Sequence, residues 1–123
     1  MKRLLLTLFT LIVSAFLFAQ SPNLFNYQGV ARDLAGNPLI NKNIGLRITL
    51  LQGSTTGSEV YKELFLRITN NLGLFNIQIG NGTVVKGTIG SIDWSKGPYF
   101  LKIELDPNAT NDFQDIGDRK SVV

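Results

Sequence analysis

Cysteine and histidine are both missing from this chain, and tryptophan and methionine each occur once. Without cysteine no disulfide can staple a small fold, so apolar burial and backbone hydrogen bonds must hold it, and no residue is present to carry a lipoprotein's lipid. Losing histidine as well removes the usual proton shuttle together with the most nucleophilic side chain, which leaves carboxylates, lysine, tyrosine and hydroxyls for any chemistry. An excess of one charge is lacking too. The net charge of +3 includes Lys2 and Arg3; beyond residue 19 there are 10 basic and 9 acidic side chains. The cations, among them Arg32, Lys42, Arg47, Lys62, Arg67 and Lys86, are scattered rather than gathered in a stripe, which argues against nucleic acid as a partner. Also missing beyond residue 19 is any long window with a 3.6-residue apolar period.

What is present begins at the N-terminus. Lys2 and Arg3 precede an apolar stretch from Leu4 to Phe18, and Ala19 before Gln20 offers a small residue for cleavage, although Leu17 holds the minus-three position. This is the pattern of a secretory signal peptide over residues 1–19. The stretch is short of the ~20 residues a bilayer span needs, so the expectation is export without a membrane anchor. The remaining residues 20–123 fit a single domain that closes one core.

That domain reads as all-β. Ile44, Leu46, Ile48 and Leu50 alternate with small or polar residues, as do Phe75, Ile77 and Ile79, and Leu101, Ile103 and Leu105, so each set should face the core. Val60 to Thr69 is β-rich but less regular, because Leu64, Phe65 and Leu66 are consecutive; both its faces are expected to be partly covered. Phe25 to Arg32 makes a first strand and Phe113 to Val123 a weaker last one, while Ser91 to Ser95 has room for one helical turn around Trp94. Turn signals at Ala35-Gly36-Asn37-Pro38, Gln52 to Gly57, Asn70 to Gly73, Asn81-Gly82 and Lys96-Gly97-Pro98 separate these segments. About six or seven short strands at this spacing predict an antiparallel β-sandwich of immunoglobulin-like or prealbumin-like type.

Several chemical motifs fail on inspection. Gly82 to Thr88 has the glycine spacing of a phosphate loop, but Lys86 precedes the second glycine and no helix follows to hold an anion. Val85 stands where a dinucleotide-binding pattern needs its third glycine. The glycines are therefore read as turn residues. Glu59 and Glu63 are four apart on a strand, ~13 Å, which is too far for a glycosidase pair, and both are expected to be solvated. No catalytic residue and no cofactor is expected. The loop from Asp106 to Asp118 is rich in oxygen donors, yet Asn111 and Gly117 occupy the positions where an EF-hand needs glycine and glutamate. Ligand contact, if any, falls on Trp94 and Tyr99 as a sugar-stacking pair, with Phe100 beside them, or on Asp106 and Asp112 in a looser calcium loop.

Taken together, Asn26-Tyr27-Gln28 with Ala31-Arg32-Asp33, Gly36-Asn37-Pro38, Gly73-Leu74-Phe75, Ile79-Gly80-Asn81-Gly82, Trp94 before Gly97-Pro98, and Leu101-Lys102 before Asp106-Pro107-Asn108 carry a resemblance. Residues 24–118 resemble the N-terminal module of secreted multidomain surface proteins of Bacteroidota, which often continue into collagen-like or tail-fibre-like segments. The resemblance implies a noncatalytic structural or adhesive module at the head of a surface or fibre protein, with other domains or chains of that protein as partners. A small carbohydrate- or calcium-binding module is the alternative. In such proteins the segment after Asp115-Ile116-Gly117 runs through a Ser-Val-Pro-Tyr-Ala-like strand, whereas here Asp118 to Val123 follows. The last strand is therefore expected to be truncated and to leave a sheet edge open.

Overall fold

The period-2 segment at Ile44 forms the middle of a five-stranded sheet, and the other alternating segments assemble around it. A computed structural model describes residues 25–121, so the signal peptide expected at 1–19 lies outside the described residues. The strands are β1 (Phe25–Val30), β2 (Asn43–Gln52), β3 (Ser58–Ile68), β4 (Leu74–Ile79), β5 (Thr83–Lys86), β6 (Tyr99–Asp106) and β7 (Gln114–Ser121). β1 and β4 make a two-stranded sheet, while the larger sheet runs β5-β3-β2-β6-β7, and every pairing is antiparallel. The protein is an all-β sandwich.

Register explains the core. Ile48 lies opposite Glu63 and Ile103, Leu46 opposite Phe65 and Leu105, and Leu50 opposite Tyr61 and Leu101, so one face of the large sheet carries three layers that are largely apolar, with Glu63 the charged member. Phe75, Ile77 and Ile79 of the small sheet join the same buried cluster, with Tyr27 and Trp94 packed at its margin. Each buried aliphatic side chain contributes roughly 1.5–3 kcal/mol on leaving water, and this replaces the missing disulfides. All the residues expected on the core faces of β2, β4 and β6 are buried.

The opposite face of the large sheet is a charged ladder. Thr49 is fully buried there, opposite Lys62 on one side and Lys102 on the other, and the Arg47 and Glu104 side chains pair beside it. β3 does not have both faces covered as expected. Phe65 is buried, but Leu66 and Ile68 on the outer face are each 72% exposed, because among the described residues no second layer covers that end of the sheet.

Two features differ from the sequence reading. β5 was not anticipated: its four residues are all exposed and show no alternation, so only pairing with β3 identifies it as a strand. In place of a turn at Ser91 to Ser95 there are two 3-10 turns, Ile89–Ser91 and Trp94–Lys96. The expected weak last strand is present as β7, which pairs with β6 from Phe100 to Leu105; Val122 and Val123 lie outside the described residues.

Candidate functional site

The Glu63 side chain points into the sandwich from β3, contrary to the expectation that it is solvated. It is fully buried, because its position in the register places it on the inner face beside Ile48. A buried carboxylate is costly unless its oxygens are occupied. Here Oε2 accepts the Tyr61 hydroxyl at 2.6 Å and the Gly82 amide at 3.2 Å, and Oε1 accepts the Gly80 amide at 2.8 Å. Burial first, and then this bond, pushes the Tyr61 phenol well above its ordinary range.

Those two amides belong to the corner where the chain leaves the small sheet after β4 and enters the edge of the large one as β5. Gly80 turns with φ +102°. A Cβ on Gly82 would stand 2.7 Å from the Leu64 carbonyl oxygen and 2.8 Å from the Phe65 ring. The glycine stretch thus makes a turn, as its sequence implies, and its amides do bind an anion; that anion is the protein's own carboxylate.

The four residues singled out as ligand contacts fall in two separate places. Trp94 packs edge-on against Tyr99, ring centroids 5.2 Å apart. Tyr99 is only 2% exposed and donates its hydroxyl to the Asp93 carbonyl at 2.6 Å, so its ring is part of the core rather than an open platform. Asp93 in turn holds the 3-10 turn through its Oδ1, which accepts the Ser95 hydroxyl and amide; these bonds keep its carboxyl below the usual range.

Asp106 and Asp112 lie at the other end of the sandwich, in and after the last residue of β6. Asp112 is exposed. Asp106 is 2% exposed; its Oδ2 accepts the Asn111 amide at 2.7 Å, and its Oδ1 is buried with no hydrogen-bond partner among the described residues. A Cβ on Gly45 would stand 3.1 Å from the Asp106 side chain, which would have to give by a few tenths of an ångström to admit it. Asp106 lines a groove of about 440 Å³ with Leu64, Leu66, Ala109, Asn111 and Phe113. Ala109 holds φ +53°, a conformation that costs a residue with a Cβ. Arg47 completes the surroundings: it grips Glu104 through two bonds of 2.9 and 2.6 Å and lies 4.5 Å from the Phe113 ring centroid. The Arg47 hydrogen bond holds the Glu104 carboxyl below its ordinary value. Among the described residues, no group of three or more acidic side chains converges.

The fold and these contacts define a small β-sandwich domain in which a buried carboxylate fastens a strand crossing between sheets. The chain belongs to a family described as a domain of unknown function, DUF8740, whose model matches residues 26–116. No curated protein and no solved structure matches it.

Proposed function

We propose that this chain is a noncatalytic structural or adhesive module, exported and held at the cell surface or in a fibre as the N-terminal domain of a larger protein. The observation that supports this most is where its carboxylates are engaged. Glu63, the most buried of them among the described residues, accepts three internal hydrogen bonds. Glu104 is tied to Arg47. Side chains that hold a fold in this way are not free to exchange protons with a substrate. Strand edges and apolar side chains face outward instead, which is the chemistry of contact with other domains or chains. The partners are parts of a surface protein, not nucleic acid and not the bilayer. Fractionation of cells expressing the full chain with a C-terminal tag tests the reading: mature protein starting at Gln20 in the surface or extracellular fraction is expected, and intact protein starting at Met1 in the cytosol overturns it.

A second reading, a carbohydrate-binding module, is favoured by the groove beside Asp106, which joins an aromatic ring, amide groups and a buried unpaired oxygen. Glycan-array binding that survives Trp94→Ala but is lost in Asp106→Asn would select it over the first.

A further inference from the structure

The register of the large sheet gathers lysines that the sequence scatters. Lys86 of β5 lies opposite Lys62 of β3, Lys62 opposite Thr49 of β2, and Thr49 opposite Lys102 of β6, so one row crosses four strands on the outer face with a lysine on three of them. In the register, Arg119 of β7 follows opposite Lys102. Like charges directly opposite each other destabilise a sheet, so stability gives no reason to set Lys62 against Lys86. The row holds no acid. Glu59 and Glu104 flank it, and both are engaged: Glu59 meets the Lys62 ammonium at 2.9 Å, and Glu104 accepts two bonds from Arg47 at 2.9 and 2.6 Å. Asp115, opposite Glu104 in the adjoining row, has a partner of its own. The Lys102 ammonium stands 3.9 Å from Glu104, while Lys86 is exposed and makes no ion pair among the described residues. Lys62 through its hydrogen bond, and then Lys86 and Lys102 through their charges, hold the Glu59 carboxyl below its ordinary value. All three ammoniums therefore act over one patch.

A second observation at the middle of the row points to a ligand. Thr49 is fully buried, yet its hydroxyl has no hydrogen-bond partner among the described residues. An unpaired buried hydroxyl is costly, and an anion seated between the Lys62 and Lys102 ammoniums would accept from it once the two lysine stems part. We propose that this row binds a linear uronate polysaccharide, with Lys62, Thr49 and Lys102 holding one carboxylate and Lys86 holding another further along the chain. The proposal rests on the adhesive reading above and names the ligand's chemistry. Glu59 supplies the precedent, since Lys62 already grips a carboxylate there. Spacing selects the polymer. Thr49 and Lys86 lie two strands apart, about 9.6 Å, which is close to the repeat at which every second sugar of an extended β-1,4-linked chain turns its carboxylate to the same side. An extended acidic peptide repeats at about 6.6–6.8 Å instead. Single-stranded nucleic acid is held by aromatic rings on which its bases stack, and the row contains none.

Titration calorimetry of the purified chain at physiological ionic strength tests this without reference to where the protein is exported, so its failure leaves the surface-module reading to be judged by fractionation. The probe is a β-1,4-linked mannuronate hexamer, and the control is the neutral mannose hexamer of the same linkage. A hexaglutamate peptide and a single-stranded DNA hexamer stand for the other polyanions. The expected result is binding of the uronate alone, weakened at least fivefold by Lys86→Gln, Lys102→Gln or Thr49→Val and strengthened by Glu59→Gln. Lys42→Gln and Arg32→Gln, which remove the same charge away from the row, should leave it unchanged. Melting separates binding from folding: Lys86→Gln and Thr49→Val should melt no lower than the parent, because one relieves a like-charge pair and the other removes an unpaired hydroxyl. The proposal is overturned if the uronate does not bind, if the neutral hexamer binds as well, or if the peptide or the DNA binds as tightly. It is equally overturned if the Lys42 and Arg32 variants lose as much affinity as the row variants, which would mean that net charge alone attracts the probe.

Discussion

Oε1 of Glu63 accepts the Gly80 amide at 2.8 Å, across 17 residues of chain and between two different sheets. Through this bond a strand in the large sheet controls the turn that leaves the small one. Several outcomes depend on it.

Replacing Glu63 with alanine leaves the Tyr61 hydroxyl and two corner amides without their acceptor. At about 1–3 kcal/mol for each buried donor left unsatisfied, the loss is expected to reach 3 kcal/mol or more, a large share of a domain's net stability. Glu63→Gln should be intermediate, because one of its oxygens becomes a donor facing donors. Tyr61→Phe should cost roughly 1 kcal/mol, since Glu63 keeps both amides. Urea denaturation midpoints measure the series, and a neutral Glu63→Gln would show that the carboxylate is not the fastening.

Gly82→Ala tests the same corner by shape. Its Cβ would be 2.7 Å from a backbone oxygen of β3, so the corner must shift away from Glu63. A loss of about 1–3 kcal/mol is expected. Combined with Glu63→Ala, the two losses should be clearly less than additive, because the second change removes contacts already broken by the first.

The Arg47–Glu104 pair gives an acid dependence with a fixed sign. Glu104 is held below its ordinary value of 4.5 by the Arg47 hydrogen bond, so the stabilisation is present above that value and is lost as pH falls through the lower, folded one. Glu104→Gln should weaken the protein by roughly 1–3 kcal/mol at neutral pH, with the gap to the parent closing as the solution is acidified below about pH 4. Glu59, lowered by its hydrogen bond to Lys62, keeps a dependence of the same sign in the variant. Thermal melts across the pH range measure the gap, and one that is constant down to pH 2 contradicts the pairing.

Ala109 should prefer to be glycine. Its φ of +53° costs an L side chain about 1–2 kcal/mol, partly offset by the extra freedom glycine gives the unfolded chain. Ala109→Gly is expected to raise the melting temperature by a few degrees, equivalent to about 1 kcal/mol or less. A lower melting temperature would mean that the Ala109 methyl packs in the groove more than its conformation costs.

Trp94 reports on the alternative at the other end. As the sole tryptophan, it gives an emission that follows its packing against Tyr99. Tyr99→Phe removes the bond to the Asp93 carbonyl and should cost about 1 kcal/mol while shifting that emission. If a glycan shifts the emission of the parent without changing its stability, this end is a binding surface after all.

The sequence legibly placed the strands whose two faces meet different surroundings. At Ile44 to Leu50, Leu74 to Ile79 and Tyr99 to Leu105, one face must leave water and the other need not, so the period of two is written into the residues. Turn chemistry at Asn70 to Gly73 and Gly80 to Gly82 was equally local, since it depends on φ values that glycine and asparagine tolerate. β5 left no such trace, because a fully exposed edge strand asks nothing of its side chains and exists only through pairing with β3.

The sites were less legible for the same reason. Glu63 sits in a run of apolar and charged residues that reads as an exposed flank, and only one of its three hydrogen-bond donors, the Tyr61 hydroxyl, is near it in the chain. The Gly80 and Gly82 amides are 17 and 19 residues away, and only the crossing of the chain from one sheet to the other brings them to it. Tyr99 likewise reads as a ring free to stack, until the 3-10 turn of Trp94–Lys96 folds over it. By itself, then, the sequence determined the all-β class, the core faces and the positions of the turns, because these follow from burial and backbone preferences of neighbouring residues. Only the tertiary structure decided which carboxylate is buried and which aromatic ring is hidden, because each depends on partners that are distant in the chain and become neighbours only when the two sheets pack.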